Sequence, residues 1–213
     1  MCLSLCLSCA REAGPDYCPA VEVGGLVISE LRGDQATQDS FGHYVEVYNA
    51  SASTVDLQGM RVRLRSTSGD ELTFFVRDDL SLAPGAYAVV APGDPDQSQS
   101  FVDYAIGWDI SGGSLAESED EDDSYPLDLM RYRSAFVELL ACGELIDQVF
   151  YDVDALPAAG TLACGNADSP PSADANDLDS AGCWCVDDQE ADPDQPLFGV
   201  GLPGSPGGPN RCL

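Results

Sequence analysis

The chain has 213 residues, 37 acids against nine bases and a formal net charge of −28. All nine bases are arginines and the only histidine is His43, which excludes phosphate-loop lysines, Schiff-base chemistry and histidine-rich metal cages. So acidic a chain does not bind nucleic acid independently of sequence, because such binding rests on counterion release by cations, and anionic membranes are disfavoured likewise. At 44% apolar the chain can form a core.

Residues 1–22 read as a leader remnant or flexible spacer, and 23–213 as a single domain. The opening Met-Cys-Leu-Ser-Leu-Cys-Leu-Ser-Cys-Ala is too short for a full signal peptide. Leu7-Ser8-Cys9 resembles the end of a bacterial lipoprotein signal, which makes Cys9 the lipidation candidate. Strand signals then follow at short intervals: Leu26 to Leu31, Tyr44 to Tyr48, Ala86 to Val90, Phe136 to Leu140 and Leu145 to Tyr151. Met60 to Arg65 alternates apolar residues with arginines, the period of a half-exposed strand, and Ser68-Gly69-Asp70 turns it into a second arm with Leu72, Phe74 and Val76 on one face. No segment carries a 3.6-residue apolar stripe, and none reaches the roughly 18 apolar residues that span a bilayer.

The expectation is an all-β sandwich. A long irregular C-terminal segment is expected to be pinned back by disulfides. The candidates for those bonds are Cys18, Cys142, Cys164, Cys183, Cys185 and Cys212, an even set once Cys9 is set aside, with 15 pairings open. Zinc is the rival reading, but Cys183-Trp184-Cys185 lacks the spacing of a zinc site.

Four stretches together resemble the lamin-tail domain family: Leu26 to Leu31; Tyr44-Val45-Glu46-Val47-Tyr48-Asn49 with Val55-Asp56-Leu57-Gln58-Gly59-Met60; Leu82-Ala83-Pro84-Gly85; and Trp184 with Gly201-Leu202-Pro203-Gly204 to Asn210. Tyr44 and Met60 stand where that pattern has tryptophan. The resemblance implies an immunoglobulin-like β-sandwich of about 7–9 strands, with acidic loop insertions near 111–124 and 160–183, and structural roles for Glu30, Glu46, Asn49, Gly59, Trp184, Pro203, Gly204 and Asn210. Glu46 and Asn49 would tie strand to turn, and Trp184 would cover one end of the core.

Catalysis has little to stand on. No G-x-S-x-G elbow, H-E-x-x-H helix or glycine-rich phosphate loop occurs, and any histidine-assisted nucleophile would have to use His43. Calcium is the one cofactor expectation, since it takes carboxylate and amide oxygens from loops, with Asp174, Asn176, Asp177 and Asp179 as its ligands. Asn49-Ala50-Ser51 is formally a glycosylation sequon. The sequence therefore points to a non-enzymatic binding or structural module of the cell envelope or extracellular space. Its protein or matrix partner is unnamed, it has no nucleic acid partner, and it meets the membrane only through a lipid anchor at Cys9. The alternatives are a calcium-dependent adhesion module, a hydrolase with an unrecognised site, and a cytosolic partner-binding protein with free thiols.

Overall fold

The computed structural model describes residues 16–36, 41–93, 99–107, 129–177, 182–190 and 203–212. Cys9, the acidic stretch at 111–124, Asp179 and Gly201-Leu202 lie outside these residues.

Twelve strands are described: β1 (Leu26–Arg32), β2 (Tyr44–Asn49), β3 (Val55–Asp56), β4 (Arg61–Ser66), β5 (Glu71–Phe75), β6 (Ser81–Leu82), β7 (Tyr87–Ala91), β8 (Tyr104–Ala105), β9 (Ser134–Ala141), β10 (Glu144–Asp152), β11 (Thr161–Cys164) and β12 (Trp184–Asp187). One sheet runs β12-β11-β1-β2-β7-β8, a second runs β10-β9-β4-β5, and β3 pairs with β6 alone. The architecture is an all-β, immunoglobulin-like sandwich. Alternation decides which side of each strand enters the core. Val62 and Leu64 of β4, Leu72 and Phe74 of β5, and Val137 and Leu139 of β9 meet Leu26, Ile28, Val45 and Val47 of the facing sheet, all of them buried.

Two features exceed the sequence expectation. Three of the twelve strands are two-residue pairs, too brief to leave a pattern. The C-terminal segment, expected to be irregular with a loop across 160–183, supplies β11, β12 and the short helix α1 (Ala173–Asn176). Four-residue strands such as Thr161–Cys164 have too few positions to show alternation; their order comes from pairing, β11 lying between β1 and β12.

All six candidate cysteines are joined, as Cys18–Cys142, Cys164–Cys183 and Cys185–Cys212. The first ties the entry segment to the β9–β10 turn; the other two fasten the C-terminal segment around β11 and β12. The entry segment also presses on Gly59, whose φ of +85° and contact with the Tyr17 carbonyl leave no room for a Cβ.

The bonds close loops of very different size, with sequence separations of 124, 19 and 27. In the chain-entropy account, losing the longest costs about 5 kcal/mol and losing the shortest about 3 kcal/mol. Urea unfolding of Cys18→Ser/Cys142→Ser is therefore expected to show the larger stability loss, compared with Cys164→Ser/Cys183→Ser.

Candidate functional site

A buried polar cluster lies on the outer side of the six-stranded sheet. A β-bulge between Ile28 and Glu30 shifts the register of β1, so Glu30 and Arg32 share this side with Tyr44 and Glu46 of β2. All four are fully buried. Buried charges need paired partners, and here the chain's own C-terminal residues supply many of them.

Glu30 accepts from the Thr161 hydroxyl, from Tyr44 Oη at 3.0 Å and from the Ser205 amide at 3.4 Å. Glu46 accepts from Ser29 Oγ at 2.6 Å and from the Gly207 amide at 2.7 Å. Arg32 donates to the carbonyls of Gly42 (3.1 Å), Gly160 (3.4 Å) and Pro203 (3.2 Å). Asp187 of β12 accepts from Arg211 Nε at 2.8 Å. Ser205 Oγ lies 2.9 Å from Asp187 Oδ2 and 3.0 Å from Asn210 Oδ1, and its single proton serves one of them. Asn210 Nδ2 donates to the carbonyls of Ser29 (2.9 Å) and Cys164 (2.8 Å). Gly204 sits against Thr161 and Glu30 at φ +115°, where a Cβ would come within 2.9 Å of the Thr161 methyl.

Burial is the main influence on the two glutamates. It pushes Glu30 up to about 7, assisted by Asp187 and opposed by the hydrogen bonds from Thr161, Ser205 and Tyr44. Glu46 is raised by burial and then by Glu30. The Tyr44 phenol is raised by burial and by both glutamates. A hydroxyl at position 44 thus has a purpose that an indole would not serve in the same way: it donates to Glu30.

The remaining expected residues fall elsewhere. Asn49, fully buried, makes the strand-to-turn bonds: Nδ2 donates to Ser53 and Leu82 carbonyls, and Oδ1 accepts from the Ser51 amide and hydroxyl. With both amide protons engaged, the sequon is closed to glycosylation in the folded chain. Glu46 makes no such turn; it holds the C-terminal segment. Trp184 packs against the core and donates Nε1–H to the Asn176 carbonyl at 2.7 Å.

Of the expected calcium ligands, Asp179 lies outside the described residues, and the other three do not all face solvent. Asn176 turns inward, its Nδ2 donating to Ile28 O and Asp147 Oδ2, while Asp174 and Asp177 are exposed. Among the described residues no three acidic, histidine or cysteine side chains converge as a metal site. His43 accepts from the Met130 amide at Nδ1 (3.2 Å) and meets Asp34 Oδ1 at Nε2 (2.9 Å). The first contact leaves Nε2 as the protonated nitrogen, so the ring has no lone pair free to act as a base.

Arg32, Thr161, Ser205 and Arg211 were not found by sequence reasoning, and Asp187 stood out only as one of a run of acids. The available signal was an acid inside an apolar strand run, as Glu30 and Glu46 are; such an acid announces a buried partner without saying which.

Because Glu30 binds its proton more tightly folded than unfolded, its stabilising contribution is full below about 4.5 and is lost as pH rises through about 7. Thermal melts are expected to fall across that window, by up to about 3 kcal/mol from this group. Glu30→Gln keeps the acceptor for Thr161 and removes the charge. It is expected to flatten the pH slope and to raise stability above neutrality, which separates the local effect from repulsion across the whole acidic chain.

A family model described as Lamin Tail Domain matches residues 19–152, which carry β1 to β10. No curated protein matches the chain. Glu30, Glu46, Asn49 and Gly59 lie inside the matched residues, on the elements that resembled the family. With well over half of its length matched, the chain belongs to the lamin tail domain family.

Proposed function

We propose that the protein is an exported, non-catalytic recognition module, held at the cell envelope through a lipid at Cys9 or released outside, which binds an anionic protein or matrix partner. The family is one of immunoglobulin-like binding and structural domains, and three disulfides fit an oxidising compartment.

The observation that carries the reading is the unequal treatment of the two sheets. The outer side of the six-stranded sheet is covered by the chain's own residues 203–212. The outer side of the four-stranded sheet is left partly open, and it gathers Arg61, Arg63 and Arg65 with Phe75, Phe136 and Phe150, all half-buried. Three of the nine arginines of a chain of charge −28 thus stand in one row. Arg63 and Arg65 pair with Glu138, which is buried between them, and Arg65 lies 5.1 Å over the Phe136 ring. Arg61 makes no hydrogen bond or ion pair among the described residues. A row of guanidinium groups beside aromatic rings suits carboxylate or sulfate groups on a partner.

Arg61→Glu tests the surface. The variant is expected to keep its melting temperature, since no described contact is lost, and to bind matrix or envelope extracts about tenfold more weakly. Unchanged binding would remove this face from consideration. Thiol trapping in intact cells tests export: the six cysteines are expected to resist alkylation until reduced, whereas free thiols would place the protein in the cytosol.

A further inference from the structure

The outer edge of β10 is left without a neighbouring strand. The Val153 amide donates to the Arg133 carbonyl at 2.8 Å, so this is a hydrogen-bonded pair, and the register carries the alternation back along the hairpin. Tyr151 and Val149 therefore exchange bonds with β9, while Asp152, Phe150 and Gln148 turn their amides and carbonyls the other way. Of those outward groups, the Gln148 amide is bonded to the Asp147 carboxylate. The amide and carbonyl of Phe150, the Gln148 carbonyl and the Asp152 amide meet no partner among the described residues. The opposite edge of this sheet is treated differently: Tyr104 covers β5, its Oη donating to the Phe75 carbonyl at 3.1 Å and accepting from the Arg77 amide at 3.0 Å.

Open edges recruit other strands, and proteins ordinarily blunt them with lysine, proline or a bulge. The bulge between Leu145 and Asp147 blunts the start of β10, but residues 148–152 beyond it carry neither lysine nor proline. Apolar surface gathers at the same corner. Leu145 is 39% and Val23 65% exposed, and both line a cavity of about 460 Å³ together with Phe136 and Phe150. Acids stand at both ends of the strand: Glu144 is exposed, Asp152 is half-buried, and neither meets a basic side chain among the described residues.

We infer that β10 takes an extended segment of a partner protein as an added strand, one that carries an apolar side chain for the cavity and a basic residue for Asp152. Unpaired groups at alternate residues along one edge are met in succession by a backbone in strand form. An apolar residue beside Phe150 rests on the lining of the cavity, and a basic residue beside Asp152 or Glu144 matches charge that the chain leaves unmatched. A second copy of this chain fits less well, since it brings the same acids again and joins two molecules of charge −28. The inference adds a second contact to the proposed recognition module. It fails separately from that reading, because the arginine row lies on β4, two strands away from β10.

The test is NMR titration of the whole oxidised protein with a short synthetic peptide of alternating valine and threonine with an arginine at each end, and with the same peptide N-methylated at every internal amide. In the free protein the Phe150 amide is expected to exchange its proton at least about tenfold faster than the amides of Val149 and Tyr151. The first peptide is expected to bind with a Kd of about 1 mM or tighter and to slow that exchange, and the methylated one to bind at least about tenfold more weakly. Phe150→Pro removes the outward amide and no bond within the sheet. It is expected to weaken the peptide about tenfold, against about threefold for Phe150→Ala, which loses the ring alone. Arg61→Glu is expected to leave this binding unchanged. The methylated peptide keeps the test decisive if the proline variant does not fold. The inference is overturned if the first peptide shifts no β10 resonance at about 5 mM, if both peptides bind alike, if Phe150→Pro and Phe150→Ala weaken binding equally, or if Arg61→Glu abolishes it. It is overturned too if the free protein already shields the Phe150 amide as a dimer, the second copy then being the occupant.

Discussion

Two glutamates buried side by side on one face of a sheet are the constraint around which this molecule is organised. Carboxyl groups taken out of water destabilise a fold by several kcal/mol unless donors reach them. The sheet alone gives Glu30 and Glu46 the hydroxyls of Tyr44, Thr161 and Ser29. The amides of Ser205 and Gly207 complete the set, and they come from a segment more than 150 residues further along the chain. Backbone amides can approach a carboxylate this closely only where side chains stand clear, which is why Gly204, with no Cβ, lies between Thr161 and Glu30. Asp187, Ser205, Asn210 and Arg211 then lock the same segment from its other side.

That anchoring decides how the two sheets meet solvent. With its outer side capped, the six-stranded sheet buries residues on both faces, and β1 and β2 are buried at every position. The four-stranded sheet keeps the alternation of a half-exposed sheet, so β4 alternates half-buried arginines with buried apolar residues and ends on Ser66. One face of the sandwich is thereby given over to stability and the other to solvent, and the arginine row and the β10 corner both lie on the second side.

The same division explains what could be read from the sequence. The β4–β5 hairpin was legible because one side meets water and the other the core, so its period is written in residue type. β1 and β2 were legible as apolar runs, but the purpose of Glu30 and Glu46 within them was not, since the partners that the C-terminal segment brings them are backbone amides that carry no residue signature. Tyr44 shows the difference well. It stood out as a tryptophan position filled by another aromatic, yet only the structure reveals its hydroxyl on Glu30. Asn176 shows the reverse: its acidic neighbours suggested a loop of oxygen ligands, while its own amide turns inward to Ile28 and Asp147. Spacing among Asp and Asn cannot distinguish an outward oxygen from an inward one.

The extent of the family match adds a last step. It ends at residue 152, before β11, β12 and the capping segment, yet the acids that need capping lie at positions 30 and 46, well inside it. A sandwich ending at residue 152 would expose or strand two glutamates whose carboxyls desolvation already raises, Glu30 to about 7. Residues 161–164 thus extend the sheet as β11, residues 203–212 are tied to it by hydrogen bonds, and the Cys164–Cys183 and Cys185–Cys212 bonds keep that cover in place. Fastening the cap covalently around β11 and β12 keeps in place the Ser205 and Gly207 amides, whose hydrogen bonds favour the ionised glutamates against the desolvation that opposes them.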